Sequence, residues 1–314
     1  NYTSKTFSSI FIKYLIYGEK HIDVFLTISL PSILQEGNIP KIIKSGIGVE
    51  ILIFTKNDYE KKLIKEHKNF KYVNSICSTE FVTLDENNTM SEDDLKYIST
   101  RQAFKKSRKS NTPIFMASPE DFYGNKSLYN LVFLLGSDKD FLISTHARVN
   151  WIEVYKLISE KYDSNPNTVI QNDELVKIAI QNLTIHVNTL LGSDELSNTA
   201  GLSIEKLSNK EYLVNCSRPN PHFGGIKISD ETFLKKYMHL NYTDFLWPRK
   251  LIKEMRLKFV GTSDIFFKVE LTEDFFYNHT YITIEEKLKN KYAGRSRMLN
   301  HKYSELHHMY WRSK

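Results

Sequence analysis

Two adjacent carboxylates, Glu120 and Asp121, follow a short apolar run and are the residues of this sequence best placed to do chemistry. The run, residues 114–117, does not alternate between apolar and polar, which predicts a strand covered on both faces. Pro119 cannot donate to a strand ladder, so the strand should end there and leave the acids on a loop at the sheet edge. Adjacent carboxylates at such an edge need a cation, either a divalent metal or a nearby arginine.

A second interpretation of the acid pair is that it begins a helix, because acids are favoured at the positive end of the helix dipole. Residue types alone do not decide between a helix start and a binding loop. The position of the acids after a strand favours a binding loop, since open α/β sheets bind their ligands at the C-terminal ends of the strands. We therefore expect Glu120 and Asp121 to lie at a binding site.

A helix that carries Arg101 precedes this strand and must help to position it. Its apolar residues recur at near-helical spacing: Leu95, Ile98, Ala103 and Phe104. Ser91 is a candidate N-cap, with Asp94 as an acid in the first turn. Ser110 and Asn111 should break the helix before the strand.

Strand-like and helix-like segments alternate through the first half of the chain. Strands are predicted over residues 7–17, 49–55, 72–76, 114–117 and 140–144, and helices over residues 19–34, 57–67, the Arg101 segment, 127–135, 151–162 and 175–191. This alternation predicts an α/β fold with a mainly parallel sheet and helices on both faces. Short β-like pieces at 212–215, 225–229 and 258–261 predict a β-containing C-terminal half.

Composition restricts the class of protein. The 314 residues are 41% hydrophobic, enough to bury a sizeable core, and no run is long and apolar enough to span a bilayer. Two cysteines and the lack of a signal peptide indicate a cytoplasmic protein. Because the chain begins with Asn1, we expect it to be part of a longer polypeptide.

The formal charge of +6 is concentrated near the end of the chain. Basic residues alternate there with tyrosines and a tryptophan, so this region could lie on an anionic membrane surface or on a nucleic acid backbone. A solvated helix that packs a few aromatic side chains on the domain is the simpler interpretation. No nucleic-acid-binding motif is present, and we expect no nucleic acid partner.

The Arg101 helix, the strand over 114–117 and the two acids resemble a segment of nucleotide-sugar glycosyltransferases of the GT-A fold. In that family an arginine-led helix leads to an Asp-X-Asp metal motif. The resemblance implies a GT-A-like fold, a UDP-type nucleotide-sugar donor, and Mn²⁺ or Mg²⁺ held by Glu120 and Asp121, with Arg101 on the donor side. The ion would bridge the donor diphosphate and neutralise charge on the leaving group.

The chain departs from the motif at Ser118, which stands where the motif begins with an acid. A serine offers the metal only a neutral hydroxyl. An enzyme that works without a metal would need cationic side chains to stabilise the diphosphate, and Arg101 and Arg148 are the candidates.

Other polar residues could complete the site. His146 and Arg148 follow the strand over 140–144; His146 could act as a base or as a donor to the diphosphate, and a structural histidine is the alternative. His239 could reach a sugar hydroxyl or a metal, with a core histidine as the alternative. Asp264, Asp244 and Asp230 are candidates for the general base of an inverting transferase, and Asp264 is favoured because it follows a strand-like segment.

Beyond this segment, the chain is similar to poorly characterised bacterial glycosyltransferase-like proteins from surface-polysaccharide clusters. The similarity follows the order of short motifs along residues 10–275: Tyr17-Gly18-Glu19, Ser29-Leu30-Pro31-Ser32-Ile33-Leu34, Gly37-Asn38-Ile39-Pro40, Ser118-Pro119-Glu120-Asp121, His239-Leu240 with Pro248, and Thr262-Ser263-Asp264. It implies one GT-A-like catalytic domain over 1–284, with a donor half about 1–150 and an acceptor half about 151–284. A basic, aromatic helical extension would follow over 285–314.

The implied function is transfer of a sugar from a nucleotide-sugar to a saccharide or lipid-linked acceptor in capsule or other surface-polysaccharide synthesis. The protein would then be cytoplasmic, with peripheral contact to the inner membrane face through its basic end. The alternative is a GT-A-like module that has lost its chemistry and serves as a binding or scaffolding domain.

Overall fold

A seven-stranded mixed sheet forms the centre of the computed structural model, which describes residues 7–85, 87, 89–135, 139–165, 167–188, 191, 195–197, 202–216, 220–228, 257–273, 281–283 and 307–313. The described strands are β1 (Ser9–Ile16), β2 (Gly48–Thr55), β3 (Ser78–Thr83), β4 (Ile114–Met116), β5 (Asp121–Tyr123), β6 (Phe141–Ser144), β7 (Ala147–Asn150), β8 (Glu195–Ser197), β9 (Leu202–Lys206), β10 (Glu211–Cys216), β11 (Asn220–Gly224), β12 (Leu257–Phe259), β13 (Lys268–Thr272), β14 (Tyr281–Thr283) and β15 (His307–Arg312). The described helices are α1 (Glu19–Val24), α2 (Leu30–Leu34), α3 (Ile39–Lys44), α4 (Asp58–Glu66), α5 (Lys68–Ile76), α6 (Glu92–Ser110), α7 (Ser127–Leu134), α8 (Trp151–Ser164), α9 (Asn172–Gln181) and α10 (Ile185–Asn188).

The strand order of the central sheet is β12, β6, β11, β4, β1, β2, β3. Strand β11 runs antiparallel to β4 and β6, and the other neighbouring pairs of this sheet are parallel. Two three-stranded sheets, β5–β13–β7 and β15–β10–β9, hold β9, β10, β13 and β15 of the C-terminal region. This α/β architecture with a mainly parallel sheet is compatible with a GT-A-like fold, and the predicted fold class is confirmed.

The first strand is buried because its two faces pack against different cores. Ile10, Ile12 and Tyr14 face a core that includes residues of α2, α3 and α7. Phe11 and Leu15 face a second core that includes residues of α6. Apolar side chains on both faces are characteristic of a central parallel strand, and helices therefore cover both sides of the sheet.

The helical segment predicted over 19–34 is present, but a π-helical turn, Phe25–Ser29, separates α1 from α2. The hydroxyl of Ser29 lies 3.1 Å from the hydroxyl of Tyr14 and donates to the carbonyl oxygen of Ser118 at 3.3 Å. Single π-helical turns are frequent at functional sites. Here the turn connects the helix to the loop that follows β4.

The prediction of a strand over residues 72–76 is wrong, because this segment belongs to helix α5. Phe70 and Val73 are buried three residues apart while Tyr72 between them is exposed, which is helical rather than strand periodicity. The third strand of the sheet comes directly after this helix, as β3.

Two boundaries in the second half also differ from prediction. The helix predicted over 175–191 ends at Gln181, where Asn182 leaves helical geometry and its carbonyl oxygen accepts from the backbone amide of Asn150 at 2.7 Å. The strand predicted at 225–229 instead ends at Gly224, because Gly225 adopts a φ of +94° and begins a turn.

The end of the chain was predicted to be a helical extension, and its described part, β15, is a strand instead. Met309 and Trp311 are buried while His308 and Tyr310 between them are exposed, a period of two that fits a strand. Strand β15 pairs with β10 along its whole length, and the Trp311 ring packs edge-on against Phe267 with centroids 5.3 Å apart. In the described part of the chain, no helix combines the length and apolar character needed to cross a bilayer.

The predicted N-cap of α6 is confirmed and makes a testable contribution to stability. The amide of Asp94 donates to the Ser91 hydroxyl at 3.2 Å, and the Asp94 carboxylate accepts from the Ser91 amide in return. We expect Ser91→Ala to lower the free energy of unfolding by about 1 kcal/mol in urea denaturation, because the Asp94 amide loses its acceptor. The matched control Ser164→Ala, where the hydroxyl only bonds back to its own helix, should change it by less than about 0.5 kcal/mol. Equal effects of both substitutions would contradict this role of Ser91.

Candidate active site

An open cleft of about 650 Å³ lies at the C-terminal ends of β1 and β4. Binding sites of open α/β sheets lie at this edge. The small sheet β5–β13–β7 forms part of its wall. Its charged and polar lining residues are Lys13, Lys20, His21, Lys96, Thr100, Ser118, Glu120, Asp121, His146, Arg148, Asn220, Lys268, Glu270, Thr272 and Glu273.

Strand β1 carries a buried lysine into this cleft. Lys13 is only 7% exposed and lies on the same face of the strand as Phe11 and Leu15. Lysine is rarely this buried, least of all in the central strand of a parallel sheet. Sequence reasoning missed Lys13, although a charge in the middle of an apolar strand was a usable signal.

Asp121 was predicted to lie on a loop, with the start of a helix as the alternative. It lies in neither. It is the first residue of β5, which pairs with β13. Its side chain has no exposed surface, and its Oδ1 lies 2.6 Å from Nζ of Lys268, which is also buried. The Ser118 amide and the Tyr123 hydroxyl donate to Oδ2 at 3.0 and 2.9 Å. Burial raises the pKa of Asp121, and Lys268 opposes that shift.

Removing the Lys268 ammonium should therefore destabilise the folded protein. We expect Lys268→Met to lower the free energy of unfolding by about 3–5 kcal/mol, measured by urea denaturation, because it leaves the Asp121 carboxylate buried without its cation. Adding Asp121→Asn to this variant should recover part of the loss. As a control, Lys62→Met removes an exposed ion pair with Glu66 and should cost less than about 1 kcal/mol. A small effect of Lys268→Met alone would show that the pair does not stabilise the fold.

Glu120 is paired with a histidine that sequence reasoning also missed. Its Oε1 lies 2.9 Å from Nε2 of His21 on α1, and the Ser118 hydroxyl donates to its other oxygen. The Nδ1 of His21 donates to the carbonyl oxygen of Tyr17 at 3.1 Å. The hydrogen bond to Glu120 outweighs partial burial and raises the pKa of His21.

This pair predicts a pH dependence. Because the pKa of His21 is raised above the unfolded value of about 6.5, the pair stabilises the protein fully below that pH and less as pH rises through the folded pKa. We expect Glu120→Gln to lower the pKa of His21, measured from the imidazole proton shifts by NMR. Glu66→Gln on α4, an exposed acid outside the cleft, should leave it unchanged. A His21 pKa insensitive to Glu120→Gln would rule out the pairing.

A third carboxylate, Glu270 on β13, faces Asp121 and Arg148 in the strand register. His146 Nε2 donates to it at 2.8 Å, and Arg148 Nε lies 3.5 Å away. Although burial opposes ionisation, Arg148 and His146 hold the pKa of Glu270 well below its usual range. Burial lowers the pKa of His146, whose Nδ1 accepts from the Asn220 side-chain amide at 3.1 Å. The pair is thus a neutral histidine donating to an ionised carboxylate.

Aromatic side chains form part of the rim. The Lys20 ammonium lies 4.0 Å from the centroid of the Trp151 ring and also pairs with Glu273. The ring of His21 meets Trp151 edge-on with centroids 6.2 Å apart. An exposed aromatic edge beside cations can stack a planar base or a sugar ring.

The structure brings together most of the predicted site residues. Ser118, Glu120, Asp121, His146 and Arg148 all line the cleft. Lys96 and Thr100 of α6 also line the cleft, whereas Arg101, the residue after Thr100, does not.

Of the other four candidates, the structure describes only Asp264. The Asp264 carboxylate is exposed, accepts from the Thr262 hydroxyl and pairs with Arg312 at 2.8 Å. His239 and Asp244 lie outside the described residues, as does Asp230.

The acids of this cleft do not fit a divalent-metal site. Both oxygens of Asp121 already accept from protein donors, and Glu120 is engaged by His21 and Ser118. Within the described ranges, no three His, Cys, Asp or Glu side chains are grouped as metal ligands would be. Even a divalent ion that is held mainly by substrate phosphates and waters needs one or two protein carboxylates that are open to it. The chemistry of this donor set instead favours neutralisation by basic side chains.

A larger cavity of about 790 Å³ lies among α2, α3, α5 and α8. It is lined by helix and loop residues, and its charged groups include Glu36, Lys44, Lys68 and Asp163. Among the described residues, no strand of the central sheet contributes to its lining. The smaller cleft is therefore the better candidate active site, since it combines strand ends with coupled titratable groups.

Comparison with known proteins gives little beyond this geometry. No family model matches the chain, and no curated protein matches it in sequence. The crystal structure of mouse xyloside xylosyltransferase 1 in its apo form is similar over 52% of this chain and 60% of that chain, with a TM-score of 0.32 and 8% identity. The match thus spans less than two thirds of that structure, and at this level it supports no inference about activity.

Proposed function

We propose that this protein is a glycosyltransferase that binds a nucleotide-sugar in the cleft at the ends of β1 and β4. The observation that carries the proposal is the set of cations, Lys13, Lys268 and Arg148, gathered at this sheet edge beside an aromatic rim. A donor diphosphate needs positive charge, and its base or sugar needs a flat apolar surface. The volume of about 650 Å³ lies within the range of small-molecule sites.

In the proposed reaction, an acceptor hydroxyl oxygen forms a bond to the anomeric carbon of the donor sugar. The bond from that carbon to the diphosphate oxygen breaks, and the diphosphate leaves with the electron pair. Cations fixed beside the leaving oxygens stabilise this charge without reorganising during the reaction.

The hydroxyl proton must pass to a base. We assign this role to Glu270, which lines the cleft and whose side chain is 27% exposed, although His146 and Arg148 contact it. Asp121 has no exposed surface, and the side chain of Glu120 is less exposed, at 20%. His239 and Asp244 stay predictions for this role, and Asp264 would need an acceptor that extends beyond the cleft.

For the acceptor and its setting, the support is the sequence resemblance alone. A saccharide or lipid-linked acceptor of bacterial surface-polysaccharide synthesis suits the resemblance described above. The basic C-terminal region would help the protein to meet an acceptor held at the inner membrane face.

Nucleotide binding provides the first test. We expect UDP or another nucleoside diphosphate to bind in calorimetry, and Lys13→Met to weaken binding by about tenfold or more, because it removes a buried charge while keeping the side-chain volume. Lys177→Met on α9, an exposed lysine outside the cleft, is the matched control and should bind normally. Failure of every common nucleoside diphosphate and nucleotide-sugar to bind would refute the proposal.

A second candidate function is a nucleotide-binding module without transferase chemistry. Ser118 in place of the leading acid and the fully engaged carboxylate of Asp121 favour it. Hydrolysis or transfer of a bound nucleotide-sugar, lost in Glu270→Gln, would exclude this candidate. Binding without turnover for any acceptor would support it.

A further inference from the structure

The carboxylates Asp121, Glu120 and Glu270 of the cleft each already contact a basic side chain or hydrogen-bond donors of the protein. Asp121 accepts from Lys268, Ser118 and Tyr123 through both oxygens. Asp121 has one lone pair left, on Oδ1 beside the Lys268 ammonium, and a metal would have to reach it on a side chain with no exposed surface. A divalent ion there would lie next to the fixed positive charge of Lys268, which opposes its binding.

The neighbouring acids do not offer a second ligand. Glu270 stands opposite Asp121 in the strand register, but its oxygens face His146 at 2.8 Å and Arg148 at 3.5 Å. Glu120 is engaged by His21 at 2.9 Å. A divalent ion would therefore meet positive groups on the side where it needs carboxylates.

Lys268 occupies the position that suits a fixed cation. It is the first residue of β13, opposite Tyr123 of β5, and its side chain is 7% exposed and lines the cleft. An ammonium has three donor hydrogens, of which the short contact to Asp121 uses one. Asp121 thus orients Lys268 while leaving it further donors for a ligand oxygen. A charge fixed in a partly desolvated wall acts more strongly than one in water.

We propose that this cleft binds a nucleoside diphosphate without a divalent cation, and that Lys268, held by Asp121, takes the place of the metal beside the diphosphate. The inference rests on the proposed function, since it assumes that the ligand is a diphosphate. It assigns Asp121 to positioning Lys268 rather than to coordinating an ion.

Calorimetry with UDP and GDP in EDTA, and again in manganese or magnesium, tests the proposal. We expect dissociation constants that agree within about threefold between the two conditions. Asp121→Asn is the decisive variant, because its amide oxygen can still accept from Lys268 but makes a poor metal ligand. Its dissociation constants in EDTA and in manganese should likewise agree within about threefold, whatever affinity is lost through the weaker contact to Lys268. Lys268→Met should weaken binding by about tenfold or more, and Lys268→Arg should restore most of it.

Near-UV circular dichroism of each variant shows whether it is folded. If Lys268→Met does not fold, the Asp121→Asn result still tests the proposal. Binding that appears only with the metal and is lost in Asp121→Asn would overturn the inference while leaving the proposed function intact. Absence of binding by any nucleoside diphosphate in both conditions would overturn both. Metal-independent binding that is unchanged in a folded Lys268→Met would remove Lys268 from this role.

Discussion

The buried ion pair between Asp121 and Lys268 is the interaction on which the candidate site depends. It joins the first residue of β5 to the first residue of β13 and so fixes the small sheet against the loop that leaves β4. Two charges out of water stabilise a structure only when their geometry is good and their remaining hydrogen-bonding groups are satisfied. Ser118 and Tyr123 meet that condition for the carboxylate. The same pair therefore sets both the local fold and the electrostatics of the cleft wall.

The remaining charges of the cleft follow the same rule of local compensation. Glu270 has His146 and Arg148, Glu120 has His21, and Glu273 has Lys20. Because each acid is matched within hydrogen-bonding distance, the cleft can hold many charges in a small volume without strong repulsion. Polar networks of this kind are favourable only when all their members are satisfied, which makes their geometry specific.

Local sequence patterns predicted the elements that local physics determines. The N-cap at Ser91, the strand after residue 113 and the alternation of strands and helices all depend on neighbours a few residues apart, and these predictions are confirmed. Lys268 and Glu270 could not be predicted, because their partner Asp121 lies 147 residues before Lys268 and no local pattern records that pairing. Arg101 and Asp264 were chosen from motifs, but neither lines the cleft, and the Asp264 carboxylate is bound by Thr262 and Arg312. Lys13 alone among the missed residues had a local signal.

The central position of β13 between β5 and β7 has a consequence for how the protein acquires its site during synthesis. The central strands β1, β2 and β4 are made first, and Asp121 and Arg148 follow, but their partners on β13 emerge from the ribosome much later. Contacts between such distant segments form late because loop closure must precede them. A nascent chain that has not reached Lys268 therefore lacks one strand of the cleft wall, and Asp121 and Arg148 lack their partners on β13. Competence to bind a ligand should appear only after β13 has paired with β5 and β7.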